Sequence, residues 1–177
     1  MMNEVKKISI HLIVLTWNNV ETLEKCLESI KKVDTDNLKV SIVDNCSTDN
    51  TDVMLSNKFS NYSVIVNDQN LKYAGGYNTA LDNMNIADED YVVLLNDDTI
   101  VSKNFIDELI SPLLNDKKSI ISVPKILYAS NINKIWYAGG KVNLWNGKIS
   151  HIGIRDFDGP KYSFINETDY ATGCCFC

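Results

Sequence analysis

Asn96-Asp97-Asp98 is the cluster whose residue types most directly suggest chemistry. It follows Tyr91-Val92-Val93-Leu94-Leu95, five residues with strand-like side chains and no polar alternation. Adjacent carboxylates repel each other unless a cation sits between them, and a divalent metal serves that role well. The pattern points to Asp98, with Asn96 and Asp97 beside it, holding a metal against a diphosphate. Three other polar clusters also follow β-rich runs: Thr16-Trp17-Asn18; Asp44 to Asp49, with Asn45 and Ser47; and Asn67 to Asn78, with Asn70, Lys72, Gly76 and Asn78. Turns favour Asn, Asp and Ser for local reasons, so a single cluster means little. Four at successive strand ends make a site, because a parallel sheet opens its crevice along that edge.

The elements that must position these clusters alternate along the chain. Ile8 to Leu15 reads as a first strand, and Asn18 with Glu21 has the spacing of a capping box. Val20, Leu23, Leu27 and Ile30 then share one helical face. Val40–Val43 and Tyr62–Val66 are further strands, with a short helix between them that ends near Asn57. Lys72 to Asn78 opens a helix that buries Ala80, Leu81 and Met84. Its Gly75-Gly76 pair suits either close approach to a ligand or tight helix packing. The Tyr91 strand reads as covered on both faces. A helix capped by Ser102 follows, with Ile106, Leu109, Ile110 and Leu113 on one face and Pro112 set to kink or end it. Ile120–Val123 reads as another strand. The alternation predicts an α/β fold with a doubly wound, mostly parallel sheet.

The character changes after Pro124. Ile135 to Phe157 holds Trp136, Tyr137, Gly139-Gly140, Trp145 and Gly153, and Asn146-Gly147 is a strong hairpin signal. This is a β insertion rather than another βα unit. Its aromatic residues suit either a core or stacking against sugar rings.

Bulk properties narrow the function classes. A chain of 177 residues can bury a sizeable core. Its net charge of -6 excludes a general nucleic-acid binder. Five unevenly spaced cysteines do not form a disulfide framework and read as buried thiols in a reducing compartment. His11 and His151 are too few for a histidine metal site, and His11 reads as structural. No G-x-G-x-x-G follows the first strand, and no Walker motif appears. Lys6-Lys7 before an apolar run faintly suggests a signal peptide, but the run is short, contains His11 and lacks a cleavage site. The expectation is a cytoplasmic protein without a transmembrane segment, with a peripheral position at the inner membrane face left open.

Val-Leu-Thr-Trp-Asn (14 to 18), Ile-Val-Asp-Asn-Cys-Ser-Thr-Asp (42 to 49), Asn-Leu-Lys-Tyr-Ala-Gly-Gly-Tyr-Asn (70 to 78) and Leu-Leu-Asn-Asp-Asp-Thr (94 to 99) together resemble the family 2 glycosyltransferases of GT-A fold. Tyr-Ala-Gly-Gly (137 to 140) and Ala-Thr-Gly-Cys-Cys (171 to 175) resemble its rhamnosyltransferase-like branch. The resemblance implies a Rossmann-like, mostly parallel sheet flanked by helices, with a β-hairpin insertion near the C-terminus. It also implies a nucleotide-binding half at 1–123 and the start of an acceptor-binding half at 124–177.

By resemblance, Asp44 faces the nucleobase, with Thr16 and the Trp17-Asn18 backbone beside it. Asn96-Asp97-Asp98 falls at the family's D-x-D motif, where Asp98 would bind Mg²⁺ or Mn²⁺ and Asn96 the ribose. Lys72 and Asn78 would lie near the phosphates; Asn45, Ser47, Asn70, Gly76 and Asp97 complete the expected nucleotide site. The implied reaction is inverting transfer from a UDP-, dTDP- or GDP-linked sugar to a glycan or lipid-linked acceptor in cell-surface polysaccharide synthesis. The family's catalytic base lies shortly after the segment matching Thr172-Gly173, so it is expected beyond Cys177. On that expectation the chain is an N-terminal part that binds nucleotide without turning over. A nucleotidyltransferase shares the sheet and acidic site, but its Gly-rich, cationic first loop is absent from Thr16-Trp17-Asn18-Asn19. A non-catalytic nucleotide-binding module is the other alternative.

Overall fold

The structure, a computed structural model, describes residues 8–177; Lys6-Lys7 lie outside that range. The chain divides into two compact units, the first running to Asp107 and the second from Glu108 to Cys177.

In the first unit, β1 (Ile10–Thr16), β2 (Leu38–Asp44), β3 (Ser63–Val66) and β4 (Tyr91–Asn96) pair in the order β3-β2-β1-β4. All three pairings are parallel. Connecting them are α1 (Val20–Ile30), α2 (Thr51–Lys58) and α3 (Lys72–Asn83). Chain order reverses between β1 and β4, which makes that gap the topological switch point. Right-handed crossovers place α1 and α3 on opposite sheet faces, since one leads outward to β2 and the other returns to β4.

Side-chain alternation supplies a core for each face. Ile13 and Val43 pack with Tyr77 and Ala80 of α3, and Leu15, Ile65, Leu81, Met84, Val92 and Leu94 close around them. Leu12, Val14, Ile42, Val93 and Leu95 point the other way and are buried. α1 buries Leu23, Cys26, Leu27 and Ile30, so its apolar face follows the expected spacing with Cys26 added. Gly76 is a packing glycine. A Cβ there would run into Leu15 Cδ1 and Asn45 Nδ2, so any larger residue requires those side chains or α3 to shift.

Two local expectations are corrected. The start of α1 is not a capping box: Asn19 is the N-cap and makes no side-chain cap bond. Asn18 Oδ1 instead accepts from the Thr48 amide at 2.7 Å, and Asp49 Oδ2 accepts from the Val20 amide at 2.9 Å. The cap arrives from another loop because Asn18, at φ 51°, has left the helix path. Residues 120–123 form no strand element; Ile120 is 85% exposed. Only Ser122 pairs there, exchanging two 3.0 Å backbone bonds with Cys177.

α4 (Phe105–Asn115) contains Pro112 and continues past it, ending three residues later rather than at the proline. The second unit is otherwise built from short strands. β5 (Ile126–Tyr128) and β6 (Asn131–Tyr137) form one antiparallel pair, and β7 (Gly140–Asn143) and β8 (Lys148–His151) form another. Asn146-Gly147 lies in the second turn, where Gly147 has φ 67°. A 3₁₀ turn at Pro160–Tyr162 interrupts the polar loop, and β9 (Cys175–Phe176) ends the element series. The unit's small core centres on Ile135 and Tyr137, both fully buried. Tyr137 and Tyr170 meet His151, whose ring contacts Trp136 edge-on at 4.7 Å. A Cβ at Gly140 would lie 2.1 Å from the Tyr170 ring, so this cluster closes only over glycine. Tyr137 is therefore core, whereas Trp145 is wholly exposed.

Of the five cysteines, Cys26 and Cys175 are buried and the other three are half-buried. Among the described residues, no helix is long and apolar enough to cross a membrane.

Candidate functional site

Strand register brings the four polar clusters together. Thr16 pairs with Asp44, Asp44 with Val66, and Leu15 with Asn96. Asn67 and Asp97 each stand one residue beyond those pairs. One edge of the sheet thus carries Thr16, Asp44, Asn67 and Asp97 at nearly the same level.

Asp97 is held by two side-chain donors. Its Oδ2 accepts from Thr16 Oγ1 at 2.6 Å and its Oδ1 from Asn19 Nδ2 at 3.2 Å. Burial raises its pKa; the Thr16 and Asn19 bonds oppose that shift, and the neighbouring Asp98 charge adds to it. Asp98 is exposed and receives no hydrogen bond from the described residues. The two carboxylates therefore differ: one is held by protein donors across the β1–β4 gap, and the other faces outward with its oxygens open. Beneath them, Thr99 Oγ1 donates to the Asn96 carbonyl at 2.8 Å, and Cys26 Sγ lies 3.8 Å from that carbonyl. Burial pushes the Cys26 thiol up to about 12, so it remains a neutral packing group at ordinary pH.

The loop after β2 is similarly organised. Asp44 is buried and its Oδ1 accepts from the Ser47 amide at 2.9 Å. Ser47 Oγ accepts from the Asn18 amide at 2.9 Å, tying this loop to the one after β1. Asp49 caps α1 and accepts from Thr51 Oγ1 at 2.6 Å. Burial opposes ionisation of Asp49, but the Thr51 and Val20 bonds outweigh it and lower its pKa.

Asn45 positions the third cluster. Its Nδ2 donates to the Lys72 carbonyl at 3.1 Å, and its Oδ1 accepts from Asn67 Nδ2 at 2.7 Å. Asn70 Oδ1 accepts from the Lys72 amide at 2.8 Å, holding Lys72 at φ 63° where α3 begins. The Lys72 ammonium sits 5.9 Å from the centre of the half-exposed Trp17 ring. Asn78 is exposed on α3, while Gly76 lies buried against Leu15 and Asn45.

Most of the expected residues thus converge at one edge, with Trp17, Lys72 and Asp98 accessible and Thr16, Asp44 and Asn45 buried; Asn78 is exposed further along α3 and makes no hydrogen bond to that edge among the described residues. Asn19, Asn67 and Asp49 were not singled out in sequence. Asn67 and Asp49 stand inside the quoted clusters, but only tertiary pairing gives them a task. No group of three or more His, Cys, Asp or Glu side chains that could hold a metal occurs among the described residues. Asp98 alone fits a divalent ion of the kind that takes one or two carboxylates and completes its shell with substrate phosphates.

The switch-point edge of the sheet, where open α/β sheets bind ligands, here carries an outward carboxylate, a buried Asp and a helix-start lysine. The chain belongs to glycosyl transferase family 2, whose family model matches residues 11–175. Solved structures share the fold. A mannosyltransferase from Pyrobaculum calidifontis, in complex with GDP-Man and Mn²⁺, aligns at TM-score 0.55 and 20% identity over 72% of this chain and 38% of that one. TarS 1–349 from S. aureus, in complex with UDP-GlcNAc, gives 0.57 and 20% over 70% and 36%. Glucosyl-3-phosphoglycerate synthase from Mycobacterium tuberculosis, in complex with Mn²⁺, UDP and glucosyl-3-phosphoglycerate, gives 0.53 and 21% over 70% and 45%. The chain therefore spans less than half the length of these three proteins. No curated protein matches it.

Proposed function

We propose that the chain forms the donor-binding part of a metal-dependent, inverting glycosyltransferase. It would take a UDP-, dTDP- or GDP-linked sugar and deliver a hexosyl or rhamnosyl group to a glycan or lipid-linked acceptor in cytoplasmic steps of cell-surface polysaccharide synthesis. The observation that carries this reading is the division between Asp97 and Asp98. Asp97 is fixed by Thr16 and Asn19, while Asp98 projects from the same turn with no described protein donor.

In this reading, residues 1–123 form the donor half and 124–177 begin the acceptor half. Asp44 receives the base beside Thr16 and the Trp17-Asn18 backbone; Asn96 takes the ribose. Lys72 and Asn78 stand near the phosphates, with Lys72 adding a positive charge. Ser47, Asn45 and Asn70 set the loops, and Gly76 keeps α3 close enough for its first turn to border the crevice. Asp97 acts as a positioning residue for β1 and the Asp98 turn. Asp98 would hold Mg²⁺ or Mn²⁺. When bound, that ion neutralises charge growing on the departing diphosphate.

Titration calorimetry with UDP, dTDP and GDP, in Mn²⁺ and in EDTA, tests the assignment. At least one nucleotide should bind more tightly with Mn²⁺, and Asp98→Ala should abolish that increment. Equal affinities for the two proteins in Mn²⁺ would sink the metal role.

A further inference from the structure

The β7–β8 hairpin presents a surface that donor binding does not use. Gly140–Asn143 and Lys148–His151 pair with Asn143 opposite Lys148, Val142 opposite Ile149 and Lys141 opposite Ser150. Because cross-strand partners share a face, the hairpin is two-sided. Lys141, Asn143, Lys148 and Ser150 lie on one side, with Val142 and Ile149 on the other. At the tip, Leu144 is 90% exposed and Trp145 100%, while Ile149 on the strand is 65% exposed. The tip is an ordered turn: Asn143 Oδ1 accepts from the Trp145 amide and Asn146 Oδ1 from the Lys148 amide, both at 3.0 Å.

We infer that this hairpin docks the protein onto an anionic lipid surface, with Leu144 and Trp145 entering the headgroup region and Lys141 and Lys148 meeting lipid phosphates. Charge commits the surface to this occupant. The hairpin itself, residues 140–151, carries two fixed cations, Lys141 and Lys148, and no Asp or Glu, in a chain of net charge -6. One acid reaches the hairpin from outside: Asp169 accepts from the Val142 amide and lies 3.5 Å from Lys141. Lys148 carries no such partner among the described ion pairs. Tryptophan beside aliphatic tips and flanking lysines matches the chemistry of a bilayer interface: an amphipathic ring and apolar side chains below, ammonium groups at phosphate level. The shallow hollow beside Trp145 is lined by Lys141, Asn143, Lys148 and Ser150 as well as Val142 and Leu144, so the tip sets apolar side chains next to donors that can meet lipid phosphates. A second copy meeting tip to tip would bring lysines against lysines. The inference holds whether or not the chain transfers sugar.

Sedimentation of the full chain with phosphatidylglycerol vesicles, phosphatidylcholine vesicles and no lipid tests it. Binding is expected to phosphatidylglycerol, weakening with salt, with a blue shift in tryptophan emission that Trp145→Phe alters. Leu144→Ser/Trp145→Ser should lower partitioning at least about tenfold. Lys148→Gln should lower it roughly fivefold. All variants should keep the parental melting temperature, since the changed side chains pack against nothing. Failure of the parent chain to bind phosphatidylglycerol overturns the inference, as does equal binding to both lipids or undiminished binding by the double variant. A dimer in lipid-free solution that the double variant dissolves would assign the tip to a second copy and also overturn it.

Discussion

The two ends of the parallel sheet carry acids in opposite circumstances. At the end where β1 and β4 begin, Asp90 accepts from the Ser9 amide at 3.0 Å, the Ala87 amide at 3.1 Å and His11 Nε2 at 3.1 Å. Those bonds, led by Ser9 and Ala87, hold its pKa down at about 2. His11 and Asp90 are buried side chains, and their pairing ties β1 to β4. At the end where the same strands finish, Asp97 ties them again through Thr16, but Asp98 beside it has no described donor. A cavity of about 540 Å³ at the starting end, lined by His11, Lys39, Ser41, Tyr62 and Met84 among others, has no carboxylate in its wall. Shape alone does not locate the chemistry. What separates the two ends is an acid left open for a ligand.

The largest expected effect comes from disturbing the scaffold of the open end. Gly76→Ala drives a methyl group into Leu15 and Asn45, and overpacking of this kind costs about 1–3 kcal/mol. Because Asn45 also holds Asn67 and Lys72, nucleotide affinity should fall with stability. Urea denaturation and calorimetry on the same variant check both. Parental stability would show that α3 can shift and that the tight seat is not needed.

Asp98→Ala should do the reverse: little change in stability, but loss of roughly tenfold or more in Mn²⁺-dependent nucleotide affinity, about 1.4 kcal/mol. Asp49→Ala lies between these cases. It removes the α1 cap and should cost about 1 kcal/mol, with a smaller loss in binding because Asn18 and Thr48 still join the two loops. Thermal melts with and without nucleotide separate the two contributions.

The parts of this contrast legible in sequence were those governed by short-range pattern. Apolar runs gave the strands, and spacings of three and four gave the α1 face. Asn146-Gly147 gave the β7–β8 turn. Convergence of the polar clusters followed from the rule that parallel strands finish at one edge. What could not be read depended on partners distant in sequence. The cap of α1 comes from Asp49, 29 residues from Val20. Whether Gly76 served a ligand or packing was open until Leu15 and Asn45 were placed beside it. Ile120–Val123 has strand composition, yet only Ser122 finds a backbone partner, and composition alone cannot supply one. Asp98 stands out in the sequence as the metal candidate, but the anchoring of its neighbour Asp97 depends on Thr16 and Asn19, 81 and 78 residues away in the chain.

Acid titration offers the finest test of the difference between the ends. The Asp90 pKa is depressed to about 2, so its bonds add stability at pH values above the ordinary carboxylate range, and that contribution is lost as pH falls towards 2. Asp97 has the opposite sign. Its folded pKa is raised, so the folded chain binds the proton more readily than the unfolded one, and stability declines as pH rises from the ordinary range through the raised value. Asp90→Asn should therefore flatten the acid limb of a stability–pH curve. Asp97→Asn should remove the decline above it while leaving the acid limb in place. A divalent ion near Asp98 would favour ionised Asp97, so adding Mn²⁺ with nucleotide should reduce the Asp97 decline without changing the Asp90 limb. Urea unfolding between pH 2 and pH 7, with and without nucleotide and Mn²⁺, measures both slopes. If the ion altered both limbs equally, the distinction between a closed end and an open end would fail.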